Sequence, residues 1–198
     1  MSRRVSSTRE TKETRVKIEL DLDLSEPPRI DTSIPFFDHL LHAFSFHGGF
    51  FLGIEASGDT EVDFHHLVED VGLVLGTCLR EVVAKHGAVH RFSSALIPMD
   101  EALAEVVIDV CGRPTAVVDT TFPQQIIGAA FDVALVREFL VALASRAGMS
   151  LHAHTRYGEN SHHLAEALFK ALGKAVAGAY AQADGEAEAM STKDALLS

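Results

Sequence analysis

Apolar and polar residues alternate between residues 14 and 22. Val16, Ile18, Leu20 and Leu22 fall on one side; Lys17, Glu19 and Asp21 fall on the other. A period of two predicts a half-buried strand, which Glu26-Pro27-Pro28 breaks. Residues 36–46 read as a short helix stopped by Gly48-Gly49. Residues 50–56 read as a strand, closed by the turn Ser57-Gly58-Asp59. Residues 65–86 then place Leu67, Val71, Val74 and Cys78 on one stripe of a long helix that ends near Gly87.

A second pass follows the same grammar. Residues 101–110 and 115–121 predict strands joined at Gly112-Arg113-Pro114. Residues 131–147 predict a helix stopped by Gly148, and residues 150–155 a strand. Residues 160–180 predict a helix capped by Asn160 or Ser161. Both passes contain helix, glycine stop, strand, glycine-containing turn and a helix that opens on His-His. The best-matched segments, HHLVED from His65 and HHLAEA from His162, lie 97 residues apart, close to half of the 198-residue chain. That spacing points to duplication and a pseudo-twofold fold rather than a solenoid. The expected class is α+β, each sheet covered by helices on one face. The expected units are residues 1–92, residues 93–180, and a linker and tail over 181–198.

Composition narrows the function. The formal net charge is −11, which repels nucleic acid and anionic membranes. No apolar run approaches a membrane span, and residues 1–15 lack the apolar core of a signal peptide. Cys78 and Cys111 sit in apolar runs as buried thiols, so a cytoplasmic location is expected.

The chain carries 11 histidines, seven of them at 39, 42, 47, 65, 66, 162 and 163. On a helix, positions i and i+4 share a face. His65 with Glu69, and His162 with Glu166, can therefore each grip one ion. Neighbouring helical residues point about 100° apart. His66 and His163 therefore cannot join the same ion as their neighbours and are free to reach a different one. This predicts one ion on His65, Glu69 and His163, and another on His162, Glu166 and His66. Mixed imidazole and carboxylate donors suit Mn, Fe or Zn. A lone histidine is more often a packed or surface residue; two HHxxE copies in equivalent contexts favour metal.

At these residues the chain resembles imidazoleglycerol-phosphate dehydratase, a hydro-lyase of histidine biosynthesis. The resemblance begins at Thr11-Lys12-Glu13-Thr14 and spans nearly the whole chain. It is carried by FFDHLLHAFSFHGGF (36–50), HHLVEDVGLVLG (65–76), RFSSALIPMDEAL (91–103), CGRP (111–114) and GENSHHLAEALFKAL (158–172). It implies a monofunctional enzyme with an internally duplicated two-layer sandwich (ribosomal protein S5 domain 2-like). It also implies assembly into a 24-subunit shell with metal sites between subunits and two Mn(II) per active site. The implied ligands are His39, His65, His66, Glu69, His162, His163 and Glu166. Glu138 stands where the second-half helix often carries a ligand histidine; ligation and a solvated helix glutamate are its two readings. Phe64, Ser33 and Asp194 also replace residues usual in the family.

The implied reaction removes water from D-erythro-imidazole-glycerol phosphate to give imidazole-acetol phosphate. No carbonyl acidifies the carbon-bound proton, so the ring must accept the electrons, held as an imidazolate between two metals. The implied proton-transfer residues are Glu13, Glu166 and His39; Asp100 and Glu101 are as readily structural. Arg91, Arg113, Lys170, Ser191 and Lys193 are the implied phosphate ligands. Two other functions compete: a binuclear metallohydrolase, and a catalytically silent metal-binding paralogue.

Overall fold

In the computed structural model, which describes residues 2–183, the first half runs β1 (Arg4–Glu10), β2 (Thr14–Asp21), β3 (Arg29–Asp31), α1 (Pro35–Gly48), β4 (Phe51–Gly58) and α2 (His65–His86). The second half runs β5 (Phe92–Met99), β6 (Ala102–Val110), β7 (Thr115–Asp119), β8 (Ile126–Ile127), β9 (Phe131–Asp132), α3 (Ala134–Ala147), β10 (Met149–Tyr157) and α4 (Ser161–Ala179). The sheet orders are β1-β2-β4-β3 and β5-β6-β10-β7. Their pairings match as well: β3 lies parallel to β4 and β7 parallel to β10, with the other neighbours antiparallel. The duplication seen in the HHxxE spacing is thus a duplication of topology.

Each half is a two-layer α+β unit. Val16, Ile18 and Leu20 point inward from β2 and are fully buried. In the first half α2 lies over β1 and β2; in the second α4 lies over β5 and β6. The halves then join through their helices, α2 against α3 and α1 against α4, leaving the sheets outside. Glycine sets how closely they approach. A Cβ on Gly173 of α4 would fall 2.1 Å from the Phe44 carbonyl oxygen of α1. One on Gly76 of α2 would fall 2.6 Å from the Leu143 carbonyl oxygen of α3. Phe139 locks the centre, stacking on Phe169 at 5.3 Å and meeting Phe37 edge-on at 5.4 Å.

Besides the two- and three-residue strands β3, β8 and β9, two longer strands escape the alternation rule. In β1 only Val5 is buried, because an edge strand under one helix needs little apolar surface. In β5, Phe92 and Leu96 face outward at 63% and 55% exposure, so apolar residues on both faces hide the period. The helix expected from residue 131 starts at Ala134 instead. Phe131 is spent in the small β8–β9 hairpin, where it packs on Phe36, and Asp132 accepts the Ala134 N–H at 2.8 Å.

Candidate metal centre

Local chemistry first fixes two helix starts. Asp38 accepts from the Thr32 backbone N–H at 2.9 Å and from its hydroxyl at 2.6 Å, tying the incoming loop to the first turn of α1. Pro35 opens that helix, where its missing N–H costs nothing. At α4, Asn160 caps the helix by accepting the His162 N–H at 2.9 Å. Ser161 and Gln124 exchange backbone and side-chain hydrogen bonds that clamp the same turn.

These starts bring three donors together across the α1–α4 contact. His39 Nε2 lies 2.9 Å and His162 Nε2 3.3 Å from the same oxygen, Glu166 Oε2. The ligand atoms of His39, His162 and Glu166 all fall within 4.8 Å of one another. Phe36 walls the group, 5.0 Å from the His162 ring. Burial pushes the Glu166 carboxyl up, but hydrogen bonds from Lys170 and His39 outweigh it and hold the group at about 2. It is therefore an anion with imidazoles on one oxygen and the Lys170 ammonium, at 2.9 Å, on the other. Two imidazoles and one carboxylate fit a first-row divalent cation.

The equivalent face of the first half is more open. His65 Nε2 stands 3.9 Å from Glu69 Oε2 on α2. Across the α2–α3 contact, His65 and Glu138 line one cavity of about 450 Å³ with Asp63, Phe64 and Asp132. Glu138 thus occupies in this half the place of His39 in the other.

The second histidine of each pair turns away, as the 100° spacing requires. The rings of His65 and His66 lie 87° apart in plane, those of His162 and His163 81°. His66 Nδ1 meets Asp59 at 3.1 Å and Glu13 at 3.8 Å. His163 Nδ1 meets Glu101 at 2.7 Å. Both imidazoles are held more basic than usual, His66 by Asp59 and then Glu13, His163 by Glu101. The His163 bond also holds the Glu101 carboxyl at about 2. Glu13 reaches this spot because its hairpin is pinned to α2: buried Asp70 pairs with Arg9 at 2.8 Å and accepts from the Thr14 hydroxyl. Within one chain, then, His162 and Glu166 gather with His39, and His65 stands with Glu69. The predicted crossings, His66 onto the former pair and His163 onto the latter, do not arise within a single copy.

The expected phosphate ligands divide. Lys170 sits in the His39–His162–Glu166 group. Arg91 pairs with Asp109 at 2.6 Å, and its carbonyl accepts from Val110 at the far end of the β5–β6 hairpin. Arg113 lies at that same end, its carbonyl 3.3 Å from the Ser150 hydroxyl. The β5–β6 hairpin turns at Asp100-Glu101, so eight residues of strand, about 26 Å, separate Arg91 from the His163 end. Ser191 and Lys193 lie outside the described residues. Two site residues were not foreseen. Asp59 reads only as a turn residue, and Phe36 only as the start of a helix and of the 36–50 motif; nothing in their local pattern marks a partner in a distant segment.

The family model for imidazoleglycerol-phosphate dehydratase matches residues 32–176. The chain belongs to the imidazoleglycerol-phosphate dehydratase family. The Geobacter sulfurreducens dehydratase is 46% identical over 176 residues, covering 89% of this chain and 90% of its own. That of Citrifermentans bemidjiense is 45% identical over 197 residues, covering 99% and 100%. Among solved structures, the Pyrococcus furiosus dehydratase superposes with a TM-score of 0.83 at 36% identity, covering 96% of this chain and 100% of its own. The Staphylococcus aureus enzyme gives 0.80 at 35%, covering 90% and 99%. Members of this family are hydro-lyases, and the duplicated α+β sandwich described above is theirs. Among the described residues no helix is long and apolar enough to cross a membrane.

Proposed function

We propose that this chain dehydrates D-erythro-imidazole-glycerol phosphate to imidazole-acetol phosphate in histidine biosynthesis, in the cytoplasm, with two Mn(II) per active site. The observation that carries this reading is the convergence of His39, His162 and Glu166 to within 4.8 Å across the α1–α4 contact, in a chain of this family. Divalent ions held by these residues would supply Lewis acidity toward the substrate. The chain supplies the rest. His39, His162 and Glu166 form one donor set; His65, Glu69 and Glu138 form its counterpart.

His66 and His163 complete these sets from neighbouring copies. Each already leans on a carboxylate of its own half, so its outward nitrogen is left for a site elsewhere. Phosphate binding supports the same conclusion. The roughly 26 Å between Arg91 and the His163 end exceeds the span of a three-carbon phosphate ester beside one imidazole ring. Arg91 and Arg113 of one copy therefore serve the metal face of another, in a 24-subunit shell, with Lys170, Ser191 and Lys193 as further phosphate ligands. Glu13, on a hairpin tip beside His66, is the proton-transfer residue, aided by Glu166 and His39. Two buried free thiols, Cys78 and Cys111, suit the reducing cytoplasm.

The deciding experiment supplies imidazole-glycerol phosphate to the Mn-loaded protein and follows ketone formation by NMR. Phosphate release without ketone identifies a metallohydrolase instead. A folded, metal-loaded protein that neither turns over nor rescues a histidine auxotroph is a silent paralogue.

A further inference from the structure

The two halves repeat more than their ligand helices. Each also repeats a carboxylate behind the second histidine. Glu13 stands at the tip between β1 and β2, and Asp100 and Glu101 at the equivalent tip between β5 and β6. In the second half the contact is tight: Glu101 Oε2 lies 2.7 Å from His163 Nδ1. Its other oxygen, Oε1, accepts the backbone N–H groups of Glu159 at 3.1 Å and Asn160 at 2.9 Å. Glu101 is thus anchored to the turn that caps α4 and cannot swing away from His163 without releasing both bonds. In the first half Asp59 Oδ2 takes the same station, 3.1 Å from His66 Nδ1.

An ionised carboxylate is an acceptor only. A neutral imidazole that bonds to it must carry its proton on Nδ1, which leaves the lone pair on Nε2. The hydrogen bond on one ring nitrogen in this way selects the atom that the other presents to a metal. We propose that Glu101 is a positioning residue that holds His163 as the Nδ1–H tautomer and offers Nε2 as its donor atom, and that Asp59 does the same for His66. This rests on the metal-binding function proposed above. It assigns to Glu101 and Asp59 a role beyond turn geometry, and it makes Nε2 the donor atom of both histidines.

The test uses the full-length protein. Two-bond proton–nitrogen NMR spectra report the ring tautomers of the metal-free form at a pH above imidazolium titration. Mn(II) titration calorimetry reports affinity. Wild type is expected to show His163 and His66 protonated at Nδ1. In Glu101→Gln the amide oxygen stays under the Glu159 and Asn160 donors and turns its NH₂ toward Nδ1. His163 is then driven to the Nε2–H form, and Mn(II) affinity at its site falls about 10- to 100-fold while the fold is kept. Asp59→Asn repeats the test at His66, away from the α4 cap, should the first variant fold poorly. An unchanged tautomer with wild-type Mn(II) affinity overturns the inference. Wild-type protein that binds no Mn(II) overturns instead the metal function on which it rests, and the tautomer spectra still decide whether Glu101 orients His163.

Discussion

His39 and Glu138 are the same position in two copies of one fold: each is the fifth residue of a fourteen-residue helix that ends on a glycine in the left-handed conformation, Gly49 or Gly148. One faces His162 and Glu166 across the α1–α4 contact; the other shares a cavity with His65 across the α2–α3 contact. On the proposed assignment the duplicated scaffold carries two donor sets of unlike composition: two imidazoles and a carboxylate in His39, His162 and Glu166, and one imidazole and two carboxylates in His65, Glu69 and Glu138.

That inequivalence makes Glu138 testable. Glu138→Ala is expected to weaken Mn(II) binding at the second site more than about tenfold, or about 1.4 kcal/mol, while the first site is retained. Glu138→His is expected to keep two ions per site. Metal analysis after gel filtration measures both. Full, tight loading of Glu138→Ala makes the residue a solvated glutamate.

His66→Ala is expected to abolish turnover and weaken metal binding, because it removes a donor that no other residue of its turn replaces. Its readouts are steady-state rates and calorimetry at saturating Mn(II). Normal activity under those conditions removes His66 from the ligand set.

Gly173→Ala probes what brings the first site together. The new Cβ would meet the Phe44 carbonyl at 2.1 Å, and backbone cannot yield as a side chain does. The overpacking cost is about 1–3 kcal/mol, a fall in melting temperature of roughly 2–12 °C for a chain of this size. His39, on the displaced helix, loses its reach to Glu166, so metal affinity falls with stability. A variant that melts and binds like wild type would show that the α1–α4 spacing is not set at this glycine.

If copies share metal ions, chelation removes their bridge. EDTA is expected to convert the large assembly into small oligomers, and Mn(II) to restore it, as read by sedimentation velocity. An unchanged profile in metal-free buffer counts against metal shared between subunits.

Acid sensitivity has a local cause at the chain's start. Hydrogen bonds from Arg3 hold the Asp23 carboxyl below its usual range, against a smaller opposing effect of burial. Because the folded value is depressed, the pair stabilises above the unfolded value of 3.8 and loses this as pH falls through the folded one. Asp23 is more than a third exposed, so screening limits the effect to under about 1 kcal/mol. Asp23→Asn should lower the melting temperature of the metal-free protein at pH 6 and converge with wild type near pH 2. Equal melting at both pH values would show the pair to be silent.

Much was legible in the chain itself because it follows from spacing within single elements. Residues 65–86 are a helix because their apolar residues recur at helical intervals, and His65 and Glu69 share its face for the same reason. The repeat was legible because 97 residues separate two nearly identical helix starts. The divergence of His66 from His65, and of His163 from His162, needed only the 100° turn per residue. β1 and β5 were hidden: an edge strand buries too little, and a strand with apolar residues on both faces shows no period.

Tertiary structure alone decided the partners. His39 meets Glu166 across 127 positions because glycines let α1 and α4 close to contact, and nothing near residue 39 encodes a distance to residue 166. In the chain Asp59 reads as a turn residue and Glu101 as the start of a strand; in the fold both are histidine partners, since hairpin tips and helix starts meet only after each sheet is covered. Arg91 and Arg113 are phosphate ligands only as the family resemblance implies. Strand length, at about 3.3 Å per residue, sets them a whole sheet away from the His163 end of their own chain.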